Sequence, residues 1–195
     1  MTLEETIRAR LAAIEERGQR RSLTALTEAS GVEAVVEGHK VVVFGSNDYL
    51  GLRSHPAVLE AALEATRRYG TGSGSSRLIA GTSECHVELE EALAEAFGTE
   101  AALAFSSGYH ANLAILTTLA VRGDLLCSDG LNHASIVDGC RLSRASVEVF
   151  EHGDRGALET ALGTRCEGLR WVVAEGLYSM DGDRVDLVGY ADSAE

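Results

Sequence analysis

A chain of 195 residues with 17 basic and 30 acidic side chains carries a net charge of -13, which excludes partners that demand a basic face, nucleic acid first among them. Hydrophobic residues make up 45% and charged residues 24%, the balance of a globular protein with one substantial core. No apolar run reaches the length of a membrane span, and the charged stretch 1–21 lacks the apolar centre of a secretory signal, so a cytoplasmic location without membrane contact is expected.

Leu3, Ile7, Leu11 and Ile14 recur at helical spacing and draw an apolar stripe on an N-terminal helix. Val35–Val36 and Val41–Phe44 flank Glu37-Gly38-His39-Lys40, which predicts a hairpin with Gly38 in its turn. Ser54 is placed to cap a helix that begins near Pro56 and ends at Gly70. The segment 70–81 holds four glycines and no periodicity, and Ser83 then caps a second helix that stops at Gly98.

Beyond residue 100 the pattern alternates. Ala101–Phe105 reads as strand, Tyr109–Ala120 as helix, Leu125–Ser128 as strand and Ala134–Leu142 as helix. Val147–Phe150 is again strand-like, Arg155–Leu162 helical, and Leu169–Ala174 an apolar strand, with a further helix starting around Asp192. Apolar strands alternating with helices predict an α/β fold, a mainly parallel sheet covered on both faces, with ligands beyond the carboxyl ends of the strands. The four cysteines, at 85, 127, 140 and 166, form no C-x-x-C pair and are expected to be reduced, mostly buried thiols.

Three strand ends carry polar clusters. Ser106-Ser107-Gly108-Tyr109-His110 opens a helix with small residues, which suits a phosphate at the amides and equally describes many empty strand–helix junctions. Asp129 to Ser135 sets His133 at a helix start, where it either faces a ligand or caps the helix. Glu175 to Asp183 brings a carboxylate and the Ser179 hydroxyl to a third strand end, or forms a solvated acidic turn. His152-Gly153-Asp154 receives no functional weight.

Together with these clusters, the stretches Asn47-Asp48-Tyr49-Leu50-Gly51-Leu52, Gly70-Thr71-Gly72-Ser73-Gly74-Ser75-Ser76-Arg77, Leu131-Asn132-His133-Ala134-Ser135 and Ser179-Met180-Asp181-Gly182-Asp183 resemble the α-oxoamine synthases. The resemblance runs from about Arg20 to Asp186, with the motifs in family order. It implies a three-layer pyridoxal-phosphate-dependent transferase of fold type I. Residues 1–45 would form an N-terminal helix and hairpin arm, and 46–195 the first half of the cofactor-binding large domain. It implies pyridoxal 5'-phosphate as cofactor, an amino acid and an acyl thioester as substrates, and a homodimer with shared active sites. Within the family the pattern is nearest to members that join L-alanine to a pimeloyl thioester in biotin synthesis. Members using glycine or serine share the motifs.

By this resemblance the amides of Gly108 and Tyr109 hold the cofactor phosphate, and His133 stacks on the ring and orients substrate. Ser179 bonds the ring's phenolic oxygen, with Glu175 in the same wall. Arg21 pairs with a substrate carboxylate, for which its planar fork is suited, and Asn47 lies nearby; on the residues alone Arg21 also reads as one arginine of a solvated helix end. Gly72 and Gly74 let the backbone pass close to a partner subunit's site.

The match breaks at one residue type. Of the 17 basic residues only Lys40 is a lysine, and its surroundings do not resemble the family's Schiff-base motif. The sequence therefore leads us to expect a truncated large domain, without the catalytic lysine, the aspartate that pairs with the pyridine nitrogen or the small domain, and so inactive alone with an unpaired sheet edge. A non-catalytic partner subunit and a plain phosphate-binding module are the competing expectations.

Overall fold

A sequence with this alternation must find partners for every strand, and the computed structural model, which describes residues 2–195, shows which ones do. The chain divides into two units, 1–83 and 84–195, each with its own internal packing.

In the first unit, α1 (Leu3–Glu16) starts with a reciprocal cap. The Glu5 amide donates to Thr2 Oγ1 at 3.2 Å, and the Thr2 amide donates to the Glu5 carboxylate at 2.7 Å. The expected stripe lies on this helix, with Leu3, Ile7 and Leu11 exposed and Ile14 half-buried. Strands β1 (Thr27–Ser30), β2 (Glu33–Val36) and β3 (His39–Val42) form an antiparallel sheet in that order.

The hairpin falls between β2 and β3, but its turn is shorter than the sequence suggests. Only Glu37 and Gly38 lie in it, both left-handed at φ 49° and 81°, the pair of angles that matches the twist of the flanking strands. His39 and Lys40 belong to β3, where Lys40 sits opposite Val35. The strand β1 carries the sequence TEAS, whose lack of β-branched alternation gave no signal.

Helix α2 (Pro56–Tyr69) ends at Gly70 as expected, but its cap is His55, whose Nδ1 accepts from the Ala57 amide at 3.2 Å. Ser54 closes a short 3-10 turn (Leu52–Ser54) and its backbone is already committed there. Within the glycine-rich segment, Arg77–Gly81 forms a single wide turn, and a Cβ at Gly81 would collide with the Ser75 carbonyl.

The second unit contains α3 (Glu84–Phe97), α4 (Gly108–Leu119), β4 (Leu125–Asp129), α5 (Ala134–Leu142), β5 (Ser146–Phe150), α6 (Arg155–Leu162), β6 (Arg170–Val173) and α7 (Leu187–Ala194). The last helix starts five residues earlier than Asp192, because Asp186 caps it by accepting from the Gly189 amide at 2.9 Å. The three strands are parallel in the order β5-β4-β6, so β4 is central and all five of its residues are buried.

Alternation along β4 builds three layers. Leu126 joins Leu116 of α4 and Ile136 and Cys140 of α5 on one face. Leu125 and Cys127 join Phe150, Leu158 of α6 and Tyr190 of α7 on the other. Gly139 brings α5 close to α4, since a Cβ there would lie 2.7 Å from Leu116 Cδ1 and 3.2 Å from the Asn112 carbonyl. All four cysteines are free, with Cys127 and Cys140 buried; burial pushes the Cys127 thiol up to about 11.

Ala101–Phe105 corrects the sequence reading. It forms no strand: it pairs with no strand among the described residues, Leu103 and Phe105 are exposed, and the Ala104 amide donates instead to Glu90 Oε1 at 2.8 Å. Apolar β-formers make a strand only where a ladder partner is present.

At the amino ends of β4 and β6, buried Asp124 accepts from the Val121 amide at 3.1 Å, the Leu169 amide at 2.9 Å and Trp171 Nε1 at 3.1 Å. These bonds, the Val121 amide first, hold its carboxyl below the ordinary 3.8. A lowered carboxylate pKa contributes stability above the unfolded value and loses it as pH falls through the folded one. Asp124→Asn is therefore expected to be less stable than wild type at neutral pH. The gap should close as pH drops below 3.8, as read from urea midpoints across pH. Among the described residues no helix is long and apolar enough to cross a membrane.

Candidate active site

The carboxyl ends of β4 and β6 and the start of α4 all lie in the second unit. Helix α4 begins at Gly108, with Ser107 Oγ as its cap accepting from the His110 amide at 3.2 Å. The amides of Gly108 and Tyr109 stand in the first helical turn and have no intrahelical acceptor. Gly108 and Tyr109 are both exposed, and a Cβ built at Gly108 would meet nothing within 4 Å. Tyr109 donates from its hydroxyl to Asp138 Oδ2 of α5 at 2.6 Å, and that bond raises its pKa.

His133 caps α5. Its Nδ1 accepts from the Ser135 amide at 3.1 Å and lies 2.7 Å from Ser135 Oγ, which itself accepts from Asn112 Nδ2 at 2.9 Å. An Nδ1 that accepts an amide proton carries none, so the ring proton is assigned to Nε2. The His133 amide donates to Glu175 Oε1, which fastens the end of β4 to the end of β6. The ring is exposed while Ser135 beneath it is buried.

A buried amide organises the rest. Asn132 Nδ2 donates to Ser128 Oγ at 3.0 Å and to the Val173 carbonyl at 2.7 Å, and its Oδ1 accepts from the Tyr178 hydroxyl at 3.4 Å. The same hydroxyl accepts from the Glu175 amide at 3.1 Å. Burial pushes Tyr178 up to about 12, so it stays a donor at neutral pH. Ser179 follows as an exposed residue of the turn, which closes through the Tyr178 amide on the Asp183 carbonyl at 3.0 Å.

A second bridge runs behind this one. Asp129, at the end of β4, accepts from the Leu131 amide at 2.9 Å, and its Oδ1 lies 2.8 Å from His152 Nδ1. His152 Nε2 lies 2.8 Å from Asp183 Oδ2. The hydrogen bonds to Asp183 and then Asp129 raise the His152 pKa above 6.5.

Of the residues singled out in the sequence, the structure joins His133 to Glu175 directly and sets Gly108, Tyr109 and Ser179 in the same unit. Arg21 and Asn47 belong to the first unit, as does Lys40 in β3. Arg21 lines a hollow with Arg17 and Arg20 after α1, and Asn47 Oδ1 accepts from the Tyr49 hydroxyl at 3.3 Å. Sequence reasoning gave no role to Asn112, nor to Asp129, Asn132, Ser135, His152 and Tyr178, although these five lay in stretches it had marked. Only the run Asn132-His133-Ala134-Ser135 held a hint, because two of its polar residues lie next to a strand end.

Residues 39–192 match the family described as aminotransferase class I and II. The 8-amino-7-oxononanoate synthase of Geobacter sulfurreducens is 50% identical over 186 residues, covering 95% of this chain and 48% of that protein. Serine palmitoyltransferase from S. paucimobilis, solved with a bound PLP–myriocin aldimine, superposes with a TM-score of 0.91 at 34% identity, covering 100% of this chain and 50% of that one. An 8-amino-7-oxononanoate synthase from Francisella tularensis superposes with a TM-score of 0.66 at 29% identity, covering 77% of this chain and 42% of that one. The chain thus spans about half the length of the curated relatives it matches. The open amides at the start of α4 and the exposed His133 ring fit a phosphate-bearing aromatic such as the pyridoxal phosphate of the palmitoyltransferase structure. Layered helices on a parallel sheet give this chain the fold of the type I PLP-dependent transferases, and the chain belongs to the aminotransferase class I and II family.

Proposed function

We propose that this chain supplies the first half of a pyridoxal-phosphate-dependent acyltransferase, homodimeric and cytoplasmic, that condenses L-alanine with a pimeloyl thioester. Carbon dioxide is lost and 8-amino-7-oxononanoate, a biotin precursor, is formed. The observation that carries this reading is His133, pinned at the end of β4 by Glu175 and Ser135 with Nε2 left to face a ligand, in a chain 50% identical to an 8-amino-7-oxononanoate synthase.

When bound, the cofactor supplies the electron sink that lets an amino acid lose its α-proton. The chain's own groups would do the rest. The Gly108 and Tyr109 amides hold the phosphate. His133 covers the ring and presents a proton at Nε2 to the substrate, while Ser179 donates to the phenolic oxygen and Glu175 keeps His133 in place. Arg21 and Asn47 receive a substrate carboxylate. In this reading residues 1–45 are an arm, and 46–195 the first half of the cofactor domain. Lys40, in a hairpin strand, is not the Schiff-base lysine, so the 195 residues alone do not turn over.

The higher TM-score to serine palmitoyltransferase, 0.91 against 0.66, favours a second reading with serine and a longer acyl chain. Sequence identity, 50% against 34%, favours the first.

Titration of the purified chain with pyridoxal phosphate, followed by borohydride reduction and mass spectrometry, tests the proposal. Reversible binding without a reduced adduct, weakened about tenfold or more in His133→Ala, is the expected result. A reduced adduct on Lys40, or binding indifferent to His133, would refute it.

A further inference from the structure

His152 takes no part in the proposed chemistry, yet its ring meets two carboxylates from different strand ends. Both nitrogens lie 2.8 Å from a carboxylate oxygen, Asp129 Oδ1 on one side and Asp183 Oδ2 on the other. A neutral imidazole has one N–H to give, so satisfying both contacts calls for the imidazolium. Its side chain is only 20% exposed, which keeps the two bonds partly shielded from solvent.

What these bonds connect gives them meaning. Asp129 is fully buried, and besides His152 it takes the Leu131 amide at 2.9 Å and the Gly153 amide at 3.4 Å. It therefore gathers the segment leading to His133 and the segment after β5. Asp183 closes, through its own carbonyl, the turn from Tyr178 that carries Ser179. The His152 ring also meets the Tyr178 ring edge-on at 4.4 Å between centroids. Tyr178 is the residue whose hydroxyl receives the Glu175 amide and reaches Asn132.

We propose that His152 is a positioning residue of this site: as a cation shared between Asp129 and Asp183, it holds the strand ends bearing His133 and Ser179 in one arrangement. The inference rests on the reading of those two residues as the cofactor wall. The groups facing the ring are Asp129 from β4, and Asp183 and Tyr178 from the turn after β6. Tyr190 of α7 is buried, and that burial, with the Asp129 charge adding to it, raises its pKa. Arg155 of α6 is turned to Glu159 and Ser193 instead, at 3.1 and 2.8 Å, and the groups that perturb His152 are the two carboxylates.

The sign of the pH dependence follows. A histidine whose folded pKa is raised holds its bonds fully below the ordinary 6.5 and loses them as pH climbs through the raised value. The clamp is closed in mild acid and opens in the alkaline direction.

Site-resolved amide exchange on the whole chain, expressed as protection factors at about pH 6 and about pH 9, tests this directly. The reporters are the amides of Leu131, Tyr178 and Gly182, and the control is the Leu125 amide, bonded to the Leu169 carbonyl at the other end of the sheet. In wild type the three reporters should lose about tenfold protection together on going to the higher pH, while Leu125 holds. In His152→Gln they should be low at both values, with pyridoxal phosphate affinity reduced about tenfold at the lower pH. The wild-type pH series needs no variant, so a misfolded His152→Gln would leave the test intact. Reporters that do not respond to pH, reporters that fall in step with Leu125, or loosened reporters with unchanged pyridoxal phosphate affinity would each overturn the proposal. Wild type that fails to bind pyridoxal phosphate would instead remove the cofactor reading, and the exchange data would still decide whether His152 is the clamp.

Discussion

Leu125→Ala is expected to lower the unfolding free energy by about 2–5 kcal/mol, the range for emptying a fully buried leucine site. Leu125 is 0% exposed in the central strand, packed with Phe150, Leu158 and Tyr190 on the α6 and α7 face. These neighbours, which would have to collapse into the void, come from three different elements, which restricts relaxation. Against a typical total of about 5–15 kcal/mol the loss is a large fraction. Urea unfolding should show a lower midpoint at an unchanged slope. A midpoint within error of wild type would mean that the layers on this face are not closely packed.

The second large effect is expected at Asn132. Removing its side chain in Asn132→Ala strips the Val173 carbonyl, Ser128 Oγ and the Tyr178 hydroxyl of a partner at once, in a place that is 7% exposed. A buried polar group left without its partner costs about 1–3 kcal/mol. The functional loss should exceed what stability alone predicts, because the Asn132 side chain, next to His133, bonds the Val173 carbonyl at the end of the strand leading to Glu175. Pyridoxal phosphate affinity is expected to fall about tenfold or more under conditions where the variant remains folded. Asn132→Asp provides the control: it keeps an acceptor for Tyr178 but cannot donate to the Val173 carbonyl, and should fall between the two. Unaltered affinity in Asn132→Ala would show that the hydrogen bond from His133 to Glu175 suffices to hold the site.

These two residues mark how far the sequence could be read. β4 was legible because a strand buried on both faces is apolar throughout, and the run Leu125 to Cys127 leaves little else to choose. Helices α4, α5 and α6 were legible from their period. Ala101–Phe105 has the same apolar character and yet forms no strand, since composition cannot report whether a neighbouring backbone is present. β1 failed in the opposite direction: TEAS has poor strand composition and is recruited by β2. The His55 cap was missed because Ser54 is the stronger capping residue by preference, while the 3-10 turn before it had already taken up its backbone.

The site divides the same way. His133 and Glu175 were marked by their places after strands and by family resemblance, and the structure puts them in contact. Asn132, Ser135 and Tyr178 are buried polar residues whose importance lies in partners far off in sequence, such as Asn112 and Val173. His152 was dismissed for that reason: both its partners come from other strand ends, and nothing in His152-Gly153-Asp154 announces them.

The strand order β5-β4-β6 also fixes an order of events during synthesis. Leu125 pairs with Ser146 across the first flank of β4 and with Arg170 across the second, so the β5 side can zip while the β6 side is still being made. Until β6 emerges, the central strand, with Leu126 and Cys127 on its two faces, has one side open. It is then an apolar template for any other extended segment. Slowing translation between α6 and β6 would lengthen that interval, and mispairing during it would present as aggregation of nascent chains rather than as instability of the finished fold.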